Sequence, residues 1–172
     1  MIYDFRFVND IKNQKSMLKG QVDGFSVIEL IVVIAISLIV LSASIPIYGN
    51  LQGSSQLNDM ASGLVQDIRI ARERSINRLN NSSHGIYFDI DPGGDDNYIL
   101  YQGDSYATRN SLYDKIIKLD SVMTLSTNIS NNEINFSKSF GLPSNIGTII
   151  VTHAVNGDKV MTLNSFGRID LD

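Results

Sequence analysis

The sequence predicts an α+β protein in which one long N-terminal helix packs on a mainly antiparallel β-sheet or sandwich. Three observations carry this prediction. Residues 25–45 form an almost uninterrupted apolar run, apolar residues then recur at spacings of three and four up to about residue 80, and an alternation of period two follows. Helical periodicity therefore comes first along the chain, and strand periodicity comes after it.

The apolar run 25–45 is 21 residues long and carries a single charged side chain, that of Glu29. A helix of this length reaches about 30 Å, which is the thickness of the hydrocarbon core of a bilayer. A carboxylate in such a helix costs about 2.5–3.5 kcal/mol at the membrane centre, so it marks a functional position. We therefore predict a transmembrane helix over 25–46 in which Glu29 has a partner.

The charges around this run predict its orientation. Four basic residues precede it, and few follow it in the next stretch of chain, which places the N-terminus in the cytoplasm by the positive-inside rule. These residues are Arg6, Lys12, Lys15 and Lys19. The rest of the chain is then expected outside the cytoplasm, as the periplasmic or extracytoplasmic part of a single-pass protein.

A second helical stretch continues the first. Pro46 and the small residues Gly49, Gly53, Ser54 and Ser55 weaken the helix between them. From residue 56 the apolar positions return on one helical face: Leu57, Ala61, Leu64, Ile68, Ala71, Ser75 and Leu79. We predict one long helix, kinked or partly melted near 46–55, with an amphipathic continuation over 47–80.

The remainder, residues 81–172, is predicted to form the β domain. Asn80 to Ser83 end the helix, and the period changes to two. Strands are expected at 84–91, 97–102, 116–127 with a break near Asp120, 133–137, 148–155, 159–164 and 168–171. The dipeptide Asn156-Gly157 between two apolar runs indicates a hairpin with a two-residue turn.

Composition excludes several classes of function. The chain has 172 residues, a formal charge of −4 and no cysteine, so it has neither a disulfide framework nor a thiolate site. Its two histidines, His84 and His153, fall in predicted strands, and no nucleophile motif accompanies them. We therefore expect a protein that is not an enzyme and needs no cofactor.

Two polar clusters invite a ligand. Asp89, Asp91, Asp95 and Asp96 gather oxygen ligands of the kind calcium prefers, but their spacing does not fit an EF-hand loop. A hairpin turn bearing solvated acids is the favoured interpretation, and calcium is the weaker one.

The second cluster is basic and lies near the end of the helix. It consists of Arg69, Arg72, Arg74 and Arg78. Arg69 and Glu73 stand at i,i+4, which is typical of a solvated, ion-paired face. The alternatives are contacts with acidic neighbours in a filament or with DNA phosphates.

The string Gly24-Phe25-Ser26-Val27-Ile28-Glu29-Leu30 resembles the prepilin motif of type IV pilins and type II secretion pseudopilins. The resemblance implies a type IV pilin-like fold and a removable leader over residues 1–24. It also implies cleavage by a prepilin peptidase between Gly24 and Phe25, and methylation of the new amino group of Phe25. Glu29 would then pair with the N-terminus of a neighbouring subunit. Ser26 stands where threonine is more usual, and Asp23 beside the cut is a departure.

Two further segments narrow the resemblance. Residues 70–78, IARERSINR, and residues 161–169, MTLNSFGRI, are similar to the minor-pilin family that unites the H pseudopilin of the general secretion pathway with FimT-like pilins. Some FimT-like members bind DNA through basic C-terminal residues. Here Asp170 and Asp172 flank the lone Arg168, so DNA affinity is expected to be weak at physiological salt.

The expected function is that of a minor pilin or pseudopilin in the bacterial inner membrane. Its partners would be other pilins, the prepilin peptidase and methyltransferase, the inner-membrane assembly platform and membrane lipid. Two alternatives stay open: a pilus-associated DNA receptor and a plain membrane-anchored β domain. The sequence leaves open whether the filament is a type IV pilus or a secretion pseudopilus.

Overall fold

The structure, a computed structural model, describes residues 24–172, with the backbone alone at 43–48 and 50. Residues 1–23 of the predicted leader lie outside the described residues. The chain divides into two compact units, Met1–Ile45 and Pro46–Asp172. The described elements are helix α1 (Val27–Ile76) and strands β1 (His84–Asp89), β2 (Asn97–Gln102), β3 (Lys115–Lys118), β4 (Met123–Thr127), β5 (Glu133–Phe136), β6 (Gly147–His153), β7 (Gly157–Leu163) and β8 (Ile169–Leu171).

Helix α1 is continuous from Val27 to Ile76, so of the two predicted alternatives at 46–55, a kink or a partly melted segment, the second is wrong. The helix also ends earlier than residue 80. Arg78 adopts a left-handed conformation with φ 52°, and a short 3-10 turn, Leu79–Asn81, follows it. Leu79 is therefore 45 % exposed and leaves the predicted stripe.

The other six positions of the predicted stripe are buried, which confirms the packing face of the helix. Its one polar member, Ser75, is fully buried, and its hydroxyl is hydrogen-bonded. Its hydroxyl donates to the Ala71 carbonyl over 3.0 Å and accepts from the His84 amide over 2.8 Å. Ser75 therefore joins the end of the helix to the start of β1.

The eight strands form two antiparallel sheets of four. The strand order is β3-β2-β1-β5 in the first sheet and β4-β6-β7-β8 in the second. The helix stripe and the inward-facing side chains of both sheets belong to a single hydrophobic core. The predicted α+β class, a long helix on antiparallel sheets, is confirmed.

The predicted break near Asp120 separates two strands that belong to different sheets. β3 pairs with β2, β4 pairs with β6, and a turn closed by the Met123 amide and the Asp120 carbonyl (2.8 Å) connects them. Asp96 ties the sheets together here. Its buried carboxylate accepts from the Leu125 amide on β4 over 2.7 Å and from the Asp91 amide over 3.0 Å.

The hairpin between β6 and β7 is present, but its turn is longer than predicted. His153 pairs with Gly157, so three residues lie between the paired positions instead of two. Gly157 has φ +86°, a left-handed conformation that glycine adopts without steric cost. Three-residue hairpin loops use a left-handed residue in this way, so the Asn-Gly pair marks the hairpin but not its length.

Candidate functional site

The first candidate site is the N-terminal part of α1, up to Leu41. Every large apolar side chain described between Phe25 and Leu41 is exposed, with exposed fractions from 48 % to 84 %. These side chains lie on all faces of the helix. A helix that is apolar all round is normally buried, and exposed apolar surface of this extent marks an interaction site. The segment thus presents its apolar surface outward.

Glu29 lies in the first turn of this helix. A negative charge at a helix N-terminus is favourable because the helix dipole is positive there. Ser26 caps the same turn, since its hydroxyl accepts from the Ile28 amide over 3.3 Å. Within the described residues, no hydrogen bond or ion pair joins the Glu29 carboxylate to another side chain.

Ser37 and Ser42, in the N-terminal part of this helix, make their hydrogen bonds within it. The Ser37 hydroxyl donates to the Val33 carbonyl over 2.7 Å, and the Ser42 hydroxyl donates to the Ile39 carbonyl over 2.8 Å. Neither hydroxyl then needs water, which makes it tolerable in apolar surroundings. Among the polar side chains of 27–42, Glu29 is accordingly the one whose burial needs a group from outside the helix.

The predicted cleavage site precedes the helix. Gly24, Phe25 and Ser26 are exposed and non-helical, and α1 begins only at Val27. No heavy atom lies within 4 Å of the place where a side chain at Gly24 would begin. Among the described residues, none lies against Gly24. Over the stretch whose side chains are described, no helix is both long enough and apolar enough to cross a membrane.

The arginines of the basic cluster make contacts that the sequence did not indicate. The Arg72 Nε donates to the Gly141 carbonyl over 3.0 Å, and the Arg78 Nε donates to the Ser139 hydroxyl over 2.6 Å. Arg69 reaches the Ile169 carbonyl at 3.5 Å. The predicted Arg69–Glu73 ion pair is absent from the described part of the chain, because Arg69 turns toward β8 instead. These side chains hold loops of the β domain.

Three of the predicted arginines line one cavity of about 410 Å³ together with Glu73 and Asp170. They are Arg69, Arg72 and Arg168. The Arg168 Nε pairs with Asp170 over 2.8 Å, so the net positive charge at the cavity is small. Arg74 lies elsewhere on the helix, half-buried near His84.

The acidic cluster is a structured turn. The Asp91 carboxylate accepts from the Gly93 amide, the Asp89 carboxylate accepts from the Asn97 amide group, and Asp96 is buried as described above. Among residues 24–172 as described, no three acidic or histidine side chains are placed to hold a metal ion. The geometry corresponds to the hairpin-turn interpretation.

The two histidines are buried in the sheets. Burial lowers the pKa of His84, and the nearby Arg74 guanidinium lowers it further. The His153 Nδ1 accepts from the amides of Val155 and Asn156, which shapes the β6–β7 turn. No serine is bonded to either ring among the described contacts, so the structure shows no triad there.

The structure has a groove between α1 and β3 that the sequence did not predict. It has a volume of about 650 Å³, and Met60 and Gly63 of the helix line it with Ile117 and Met123 of the β domain. At one end, the buried Asp67 accepts from the Tyr98 hydroxyl over 3.0 Å and from Lys115 Nζ over 3.0 Å. The sequence signal that could have indicated this site is the position of Asp67, which stands next to Ile68 and three residues after Leu64 in the helix.

Comparison with known proteins shows the fold. No protein-family model matches the sequence, and no curated protein matches it significantly. Among solved structures, the type IV minor pilin FimU of Pseudomonas aeruginosa matches with a TM-score of 0.52 at 14 % identity. The match covers 69 % of this chain and 90 % of that chain. The chain thus has a type IV pilin-like fold.

Proposed function

We propose that this protein is a minor pilin or pseudopilin, a structural subunit of a type IV pilus or a type II secretion pseudopilus. One observation carries the proposal: an exposed helix, apolar on every side, follows the exposed, non-helical residues Gly24 and Phe25 and holds Glu29 in its first turn. The pilin-like fold supports it, as does the description of FimU as a type IV minor pilin.

In this proposal a prepilin peptidase removes residues 1–24, and Phe25 becomes the methylated N-terminus. The cationic amino group of one subunit then pairs with Glu29 of its neighbour inside a bundle of apolar helices. An ion pair buried in this way specifies register, because a mismatch would leave a charge unpaired in an apolar medium. Before assembly the helix lies in the bacterial inner membrane, and the β domain faces the periplasm.

The narrower membership that we propose is in the family of the H pseudopilin and the FimT-like minor pilins. It rests on segments 70–78 and 161–169, which the structure places at the end of α1 and on the β7–β8 hairpin. Deletion of the gene separates the two machines. A pilus subunit predicts loss of pilus assembly, and a pseudopilus subunit predicts loss of secretion.

The test of the proposal is the mature N-terminus. The full chain is co-expressed with a prepilin peptidase and analysed by mass spectrometry, and we expect a product that begins at methylated Phe25. Gly24→Glu should abolish this product, because the peptidase must approach a residue without a side chain. Gly20→Glu, the same change within the predicted leader, should leave it intact. Normal shortening of the Gly24→Glu chain would contradict the proposal.

A DNA receptor on a pilus is the second candidate, and the arginine-lined cavity is the observation in its favour. Arg69 and Arg72 reach backbone carbonyls, and Arg168 pairs with Asp170, so few cations remain for phosphates. Affinity for labelled DNA should therefore be weak and fall steeply between two salt concentrations. Tight, salt-resistant binding would reverse the order of the two candidates.

A further inference from the structure

Two loops of the β domain present a pair of exposed aromatic side chains. Phe140 is 75 % exposed and Phe166 is 74 % exposed. Their loops, 138–142 and 164–168, lie against each other. The backbone of Gly167 is so close to the Gly141 carbonyl oxygen and to Arg72 Nε that a side chain at Gly167 would begin only 2.8 Å from each. We refer to these two loops and the arginines bonded to them as the two-loop surface.

Three cations bond the first of these loops or belong to it. Arg72 bonds the first loop at Gly141, Arg78 bonds it at Ser139, and Lys138 begins it. Arg168 follows Phe166 but is paired with Asp170, and Glu73 offsets one further charge. The two-loop surface therefore combines two exposed aromatic side chains with a net positive charge.

The groove between α1 and β3 has the complementary character. Met60, Ile117, Leu119 and Met123 form its apolar part. Its volume of about 650 Å³ lies within the usual range of binding pockets, about 300–1,000 Å³.

The charges along this groove are net negative. Asp67 and Lys115 neutralise one another. That leaves Asp59 and Asp120 against Lys118 as the exposed charges. An apolar pocket with acidic groups at its edge fits an aromatic ligand that carries positive charge.

The two surfaces share no residue. The groove meets α1 at residues 56–67, whereas the two-loop surface meets it at 72–78. A contact between them on two copies is therefore heterologous, and heterologous contacts that do not close into a ring extend into helical filaments. Such a contact suits a filament subunit. Because the two surfaces also carry opposite net charges, a second copy of this chain is the favoured occupant of the groove.

We propose that the two-loop surface of one copy docks in the groove between α1 and β3 of the next copy, with Phe140 and Phe166 as the anchors. This inference rests on the proposed function and adds to it a specific contact between β domains. The acidic residues Asp59 and Asp120 then face the cations of the neighbouring two-loop surface.

Cysteine cross-linking in the full chain tests the contact, since the protein has no cysteine of its own. Ser165→Cys places a thiol beside Phe166, and Ser121→Cys places one beside Asp120 at the groove; both serines are exposed. The two variants, tagged differently, are co-expressed with the prepilin peptidase and oxidised in membranes. A disulfide needs Cβ atoms about 3.5–4.5 Å apart, so only a close contact is trapped.

We expect a mixed dimer of Ser165→Cys with Ser121→Cys, and little dimer from either variant alone. Phe140→Ala with Phe166→Ala should reduce the mixed dimer about tenfold or more, as loss of buried aromatic anchors does at interfaces. The control partner is Ser130→Cys, an exposed serine in neither surface. It should give only a background level of dimer with Ser165→Cys.

A mixed dimer no more abundant than that of the Ser130→Cys control overturns the proposal. A single variant that forms as much dimer as the mixture also overturns it, because that result indicates a symmetric or random contact. The N-terminal mass of the same samples separates the two hypotheses. A chain that is cleaved but not cross-linked retains the filament role without this contact. A chain that is cross-linked but not cleaved retains the contact and refutes the processing.

Discussion

Asp96 shows how one residue supports the whole β domain. It is 5 % exposed, and its carboxylate accepts from backbone amides on both sides of the junction between the sheets. Its neighbour Asp95 is exposed. Two adjacent aspartates in one turn thus have different roles, although both count equally as possible calcium ligands when only the sequence is considered. The hydrogen bonds of a buried carboxylate, unlike its spacing in sequence, are visible only in three dimensions.

Replacement of Asp96 tests this role. Asp96→Ala should lower the free energy of unfolding by about 1–3 kcal/mol for each amide left buried without an acceptor. Asp95→Ala should change it by no more than about 0.5 kcal/mol, as exposed positions usually do. Chemical denaturation of the full chain in detergent, followed by circular dichroism, measures both. Equal effects of the two substitutions would refute the structural role of Asp96.

His84 makes stability depend on pH. Because its pKa is lowered in the fold, the unfolded chain binds more protons than the folded one once the pH falls below about 6.5. Stability contributed by the neutral imidazole is therefore complete above that pH and is lost as the pH decreases.

The His84→Gln variant isolates this contribution from the titration of carboxylates. Between about pH 7.5 and about pH 5.5, the melting temperature of the natural chain should fall more than that of the variant, since the variant has no imidazole to charge. Thermal denaturation at several pH values measures the difference. Parallel pH profiles of the two proteins would contradict the assignment.

At the scale of the element, α1 has two parts with opposite solvent behaviour. Its apolar residues before position 42 are exposed, whereas six stripe residues between 57 and 75 are buried against both sheets. Helical periodicity predicted the buried stripe because side chains three and four residues apart share a face. It did not predict where the helix stops, because the left-handed backbone at Arg78 and the Ser75 contact with β1 depend on the strands.

The stripe can be tested with matched leucines. Leu64→Ala removes a fully buried side chain and should destabilise the protein by about 2–5 kcal/mol, through lost burial and the cavity left behind. Leu112, which is 88 % exposed, serves as the control, and Leu112→Ala should cost less than about 0.5 kcal/mol. Denaturant midpoints of the two variants provide the comparison, and similar losses would show that the stripe does not form the core.

At the scale of the whole molecule, the proposed filament depends on a single charge. Glu29→Gln keeps the size of the side chain but removes the partner of the neighbouring N-terminal amine. We expect cleavage after Gly24 to continue, because the cut precedes the helix, while incorporation into filaments is lost. Asp158→Asn, which removes one exposed carboxylate in strand β7 outside both proposed surfaces, should assemble normally. Incorporation of the Glu29→Gln chain at the natural level would refute the pairing.

The sequence by itself determined the local features of this protein. The apolar run, the prepilin-like string around Gly24 and Glu29, the helical stripe and the positions of the strands all follow from patterns within about a dozen neighbouring residues. The apolar run, the stripe and the strands follow from the periods of helix and strand, and the prepilin-like string rests on a resemblance to a family, so each can be recognised before the fold is known. They were sufficient to predict the α+β class and to identify the N-terminal apolar helix with Glu29 as the candidate segment for assembly.

Only the tertiary structure decided which distant residues meet. It separated the strands of 116–127 into two sheets, moved Arg69 from Glu73 toward β8, and brought the loops of Phe140 and Phe166 together at Arg72. It also formed the groove beside Asp67. These contacts join residues far apart in the chain, and their energies depend on burial and geometry that no local pattern encodes.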